Sequence, residues 1–183
     1  MRKLTLAFLL VLMTITIAAQ KKQYDSLMEA FMSGGALRGD RGPAGVEWIE
    51  DSDQYSFTKR EGRSQQIWTY DIKTETEELV FSEGDHTFPG TEDAFSYRSF
   101  QWTNDYKYLL FQTKFERIWR YSGNADYYLY SLDDKTLKPI VEGAFTAEVS
   151  PDGLKVGYGK DGDLFTFDLA SGKHTRLTTD GAD

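Results

Sequence analysis

Cysteine is absent from the 183 residues, so no disulfide framework, lipobox or thiol nucleophile is available. Basic charge is in short supply. The 21 Lys and Arg face 29 Asp and Glu, leaving a net charge of −8, and the basic face that nonspecific nucleic-acid binding needs is excluded. No nucleic-acid partner is expected. The apolar run Leu4 to Ile17 holds only 14 residues, short for a membrane span. No G-x-S-x-G elbow occurs, so the nucleophile of an α/β-hydrolase is missing from this stretch. Metal and nucleotide motifs are missing too, and no cofactor is expected. Helical periodicity does not persist beyond one short segment, which argues against alternating βαβ units.

What is present begins with an export signal. Arg2 and Lys3 precede the apolar run and Ala18-Ala19 close it, so residues 1–19 read as a cleaved signal peptide, with an uncleaved anchor as the alternative. Export without any cysteine fits a bacterial periplasm or the exterior. Residues 20–45 form a short helix and a lead-in. Leu27, Met28, Phe31 and Met32 share one helical face, Asp25 or Ser26 serves as N-cap, and Gly34-Gly35 is the stop. The Arg38-Gly39-Asp40 tripeptide in the glycine-rich lead-in is read as chance.

Residues 46–183 repeat. The segments 46–80, 100–141 and 147–178 each open on an apolar anchor, Trp48, Trp102 or Val149. A polar turn follows, then an alternating strand, then an aromatic strand ending at Asp71-Ile72, Ser131-Leu132 or Asp168-Leu169. A second polar turn leads to a last short strand. Ser150-Pro151-Asp152-Gly153 is the best-formed turn, with proline and glycine where a type I turn wants them. Four short antiparallel strands per repeat describe a β-propeller blade, so the fold class is all-β, a partial propeller of about three blades. Three blades cannot close a ring. The expectation is therefore an N-terminal piece of a longer protein, and its bare blade face predicts poor solubility or a homodimer.

The repeats differ in length at one place. Trp48 to Tyr70 is 22 residues, Val149 to Phe167 is 18, and Trp102 to Tyr130 is 28. The surplus falls in Thr113 to Asp126, which holds Arg117, Trp119 and Arg120. Insertions in repeat proteins map to loops and to function, and a guanidinium fork suits a carbonyl or carboxylate. Stacking of these arginines on neighbouring aromatics, or pairing with a local Asp, is the structural alternative.

The run Trp119-Arg120-Tyr121-Ser122, followed by Ala125-Asp126-Tyr127-Tyr128-Leu129-Tyr130-Ser131-Leu132, resembles the WRHS…YDIYDL run of the dipeptidyl peptidase IV propeller. The flanking QWTNDYKYLLF and SPDGLKVGYGKDGDLFTFDLASGKHTRLT resemble its neighbouring blades in the same order. The likeness covers about residues 24–183 and is generic in the SPDG blade, which TolB-like propellers share. It implies a secreted or membrane-anchored serine exopeptidase that releases N-terminal dipeptides with proline or alanine second. An eight-bladed propeller would cover a C-terminal α/β-hydrolase domain that lies outside this chain. By the same resemblance Arg120 binds a backbone carbonyl of the peptide substrate, supported by Trp119 and Tyr121, and no catalytic residue is present. Tyr121 replaces the usual histidine and Ser131 the strand-end aspartate. The paired glutamates that hold the substrate amine belong to a D-W-x-Y-E-E type motif not found here. Glu77-Glu78 reads instead as a solvated edge, and His86 and His174 as surface residues. The other reading is a TolB-like periplasmic scaffold that binds a protein partner, which leaves the arginine insertion unexplained.

Overall fold

The computed structural model describes residues 24–33, 42–49, 51–120 and 122–181. The expected signal peptide, Gly34-Gly35 and the Arg38-Gly39-Asp40 tripeptide lie outside the described residues. The chain divides into two units, Met1–Gly42 and Pro43–Asp183. In the first, helix α1 spans Leu27–Met32. Its N-cap is Ser26, whose hydroxyl accepts the Glu29 N–H at 3.1 Å, while the Glu29 carboxylate accepts the Asp25 N–H at 3.0 Å. The pair resembles a capping box, with the Glu29 carboxylate reaching the residue before the N-cap rather than the N-cap itself, and it explains why the helix starts there. The apolar face formed by Leu27, Met28, Phe31 and Met32 is exposed.

The second unit holds twelve strands in three antiparallel four-stranded sheets, one for each repeat. The first sheet is β1 (Ala44–Trp48), β2 (Gln54–Glu61), β3 (Ser64–Asp71) and β4 (Thr76–Ser82). The second is β5 (Ser99–Trp102), β6 (Tyr108–Arg117), β7 (Gly123–Ser131) and β8 (Thr136–Ala144). The third is β9 (Thr146–Val149), β10 (Lys155–Lys160), β11 (Asp163–Asp168) and β12 (His174–Arg176). Each sheet is a meander with neighbours in chain order.

Turn chemistry recurs with the repeat. After each third strand a side chain accepts backbone N–H groups of the turn: Asp71 from Lys73 and Thr74, Ser131 from Asp134, Asp168 from Ser171. Ser131 therefore performs the task of the aspartate it replaces. The fifth turn residue, Glu75, Lys135 or Gly172, is left-handed in every case. Asp71 is held well below the usual carboxylate range, at about 2, chiefly by the Thr74 N–H and then by Gln54 and Lys73.

The middle sheet is buried on both faces, as strand alternation dictates. Leu109, Phe111, Tyr128 and Tyr130 pack with Ile67 and Phe81 of the first sheet. Their alternates Leu110, Tyr127 and Leu129 pack with Ala147, Val156 and Tyr158 of the third. Two polar features join the first and second sheets. The buried Trp102 indole donates to Ser56 Oγ. The buried carboxylate of Glu83, in a 3-10 turn Glu83–Asp85, accepts the Gln65 N–H at 2.7 Å and the Tyr97 N–H at 3.0 Å. His86 departs from the surface role expected of it. Its ring stacks on Phe81 with centroids 4.7 Å apart and meets Tyr130 edge-on at 5.3 Å, because the connector after β4 turns inward rather than out. His174 is exposed, with Nδ1 2.9 Å from the Tyr158 hydroxyl.

Candidate functional site

The surplus residues of the middle repeat do not form a loop, as the sequence led one to expect. They lengthen two strands. β6 runs to Arg117 and β7 starts at Gly123, so only Ile118–Ser122 remain as a tip. The physical reason lies in the pairing, since Glu116↔Asn124 and Arg117↔Gly123 continue the ladder beyond the body of the sheet. At the tip, Ile118 N–H and Trp119 N–H both donate to the Ser122 carbonyl, at 3.0 and 3.1 Å.

A β-bulge sits midway along this arm. Pairing is regular from Tyr108↔Ser131 to Thr113↔Asp126, then shifts before Glu116↔Asn124. Lys114 takes the left-handed conformation, φ +44°. Its ammonium is 3.5 Å from Asp126 Oδ2 and 4.5 Å above the Phe88 ring. The other oxygen of Asp126 accepts the Gly143 N–H at 2.9 Å. Phe115 lies on the opposite side of the bulge, with the Arg98 guanidinium 4.1 Å from its ring centroid. Gly123 is required beneath it: a Cβ there would stand 2.2 Å from the Glu116 carbonyl oxygen and 2.6 Å from Phe115 Cζ.

Arg120 occupies the exposed tip, and among the described residues neither it nor Arg117 forms an ion pair. No hydrogen bond or ion pair among the described residues spends its donors, and such a group can take a carbonyl or carboxylate. Trp119 beside it is 66% exposed, and Tyr121 lies outside the described residues. A cavity of about 350 Å³ borders the arm at Gln112, Phe115, Ser122, Gly123, Tyr127 and Glu148. A second, of about 680 Å³, is lined by Ile118, Asn124, Phe145, Lys160, Asp161 and Leu164. Burial pushes the Tyr127 phenol up, so it stays neutral, and its oxygen accepts from Gln112 Nε2 at 2.9 Å.

Glu77 and Glu78 are exposed on the edge strand β4, and Glu77 pairs with Lys59. Among the described residues no cluster of three or more His, Asp or Glu could hold a metal ion. Sequence reasoning missed Arg98, Lys114, Phe115 and Gly123. The only local trace of them is the break in alternation after Thr113.

Residues 103–183 match the family model for the dipeptidyl peptidase IV N-terminal region. A probable dipeptidyl-aminopeptidase B of Tuber melanosporum (strain Mel28) is 27% identical over 153 residues, covering 75% of this chain and 17% of the fungal protein. The crystal structure of Porphyromonas gingivalis dipeptidyl peptidase 4 superposes with a TM-score of 0.63 at 22% identity, over 89% of this chain and 23% of that one. At that identity the likeness bears on fold, which is all-β and propeller-like. TolB from Acinetobacter baumannii superposes at a TM-score of 0.45, with 22% identity over 74% of this chain and 32% of its own. The dipeptidyl peptidase IV N-terminal region matched here includes the whole bulged arm and Arg120. The chain spans less than a quarter of the length of the two peptidases.

Proposed function

We propose that this chain is the N-terminal propeller part of an exported serine dipeptidyl aminopeptidase, and that Arg120 orients the peptide substrate. The full-length protein would release N-terminal X-Pro or X-Ala dipeptides, with acyl transfer carried out by an α/β-hydrolase domain. The observation behind this reading is the position of Arg120: at the exposed tip of the longest hairpin of the three sheets, without an ion pair among the described residues, inside the family-matched segment. A guanidinium stays charged at every working pH and offers planar donors, so it can hold a substrate carbonyl in one orientation while chemistry occurs elsewhere. Periplasmic or extracellular placement follows from the N-terminal signal. No cofactor enters the scheme.

The test is Arg120→Ala in the full-length protein, assayed on Gly-Pro and Ala-Pro chromogenic substrates. Loss of a charge-assisted contact predicts a fall in kcat/KM worth about 2–4 kcal/mol. An unchanged rate removes the role of Arg120. Hydrolysis by residues 20–183 alone would overturn the division of labour.

A further inference from the structure

The geometry points to Lys114 and Phe115, the residues of the β-bulge, as positioning residues for Arg120. This rests on the reading of Arg120 given above. Among the three hairpins formed by the second and third strands of each sheet, only that of the middle sheet is bulged. The matching hairpin of the first sheet pairs without interruption from Gln54↔Asp71 to Glu61↔Ser64, and that of the third from Lys155↔Asp168 to Lys160↔Asp163. Only the β6–β7 arm is interrupted, and only that arm extends into a tip with Arg120.

A bulge bends its strand and increases local twist, so it sets the direction in which everything beyond it leaves the sheet. This one is fixed from both sides. Lys114 is tied to Asp126 and lies over Phe88, which belongs to the core between the first and second sheets. Phe115 packs against the core between the second and third sheets and is sandwiched between the Arg98 guanidinium and Gly123. The bulge thus takes its orientation from both neighbouring sheets at once. Arg120 has no brace of its own among the described ion pairs, so the two paired strands behind it determine where it points. Phe115 lies at the base of the last two pairs, Glu116↔Asn124 and Arg117↔Gly123.

The experiment is a double-mutant cycle in the full-length protein, read as kcat and KM on an Ala-Pro chromogenic substrate. Phe115→Ala should lower kcat/KM about ten- to a hundredfold, the effect of displacing a positioning group by about 1 Å. Phe115→Tyr, which keeps the ring, should restore most of the activity. In an Arg120→Ala background, Phe115→Ala should cause no further loss, because the residue it positions is gone. Losses that multiply overturn the inference and leave the role of Arg120 standing, whereas an unchanged rate for Arg120→Ala alone overturns both. Should Phe115→Ala fail to fold, Arg98→Ala removes one face of the stack at an exposed position. It should lower kcat/KM severalfold in the parent and not at all beside Arg120→Ala, and equal losses in the two backgrounds overturn the inference.

Discussion

The indole N–H of Trp102 donates to the hydroxyl of Ser56 over 3.0 Å, and both residues are buried. Ser56 in turn donates to the Glu47 carbonyl at 3.5 Å. One hydroxyl thus joins β5 of the middle sheet to β1 and β2 of the first. Ser56→Ala should leave the indole N–H buried without a partner, at a cost of about 1–3 kcal/mol. Urea denaturation at constant m-value measures it. A midpoint equal to that of the parent would mean the indole finds another acceptor.

His86 makes stability depend on mild acid. Burial against Phe81 and Tyr130 pushes its pKa below the ordinary 6.5, with the Asp85 carboxylate acting the other way. The folded state therefore binds its proton less readily than the unfolded chain. The sign follows: full stability is present above the unfolded value and is lost as pH falls below about 6.5. His86→Phe keeps a flat ring between the same neighbours and cannot titrate. Melting temperatures taken between about pH 7.5 and pH 5 should decline less steeply for the variant than for the parent. Parallel curves would show that the imidazole does not contribute.

Tyr97 presents the opposite case, a polar group that costs stability. Its ring packs 4.8 Å from Phe111 and 5.8 Å from Phe100, while its hydroxyl is buried without a hydrogen-bonding partner among the described residues. Burial, and then the nearby Glu83 carboxylate, push the phenol pKa up beyond any working range. Tyr97→Phe should leave stability unchanged or raise it by about 1 kcal/mol, since desolvation of an unpaired hydroxyl is relieved. Thermal unfolding measures the change, and a loss of stability would reveal a hydrogen bond to that oxygen.

The three sheets were legible because their turns are local. Ser150-Pro151-Asp152-Gly153 closes with the Gly153 N–H on the Ser150 carbonyl at 2.8 Å and glycine left-handed, all of it specified by adjacent residues. The position of the arginine insertion was legible too, from repeat lengths alone. Its form was not. Lys114 adopts its strained backbone beside Phe88 and Asp126, and Phe115 is held by Arg98. Those partners are distant in sequence or belong to the facing strand, and no window of neighbouring residues contains them. His86 was misjudged for the same reason. Its own neighbours Asp85 and Thr87 are polar, but the ring it rests on comes from β4.

Glu83 has a consequence for how this protein can change. One carboxylate holds Gln65 of β3 and Tyr97 just ahead of β5, so the connector between the first two sheets leaves and returns to the same anchor. Within it, Phe88 and Phe95 are buried while Pro89 to Ala94 are exposed. Residues gained or lost around Gly90 would lengthen or shorten a closed excursion without altering the spacing of the sheets. Lineages can therefore be expected to vary in length at that point while the position of β5, and the aim of the arm behind Arg120, stay the same.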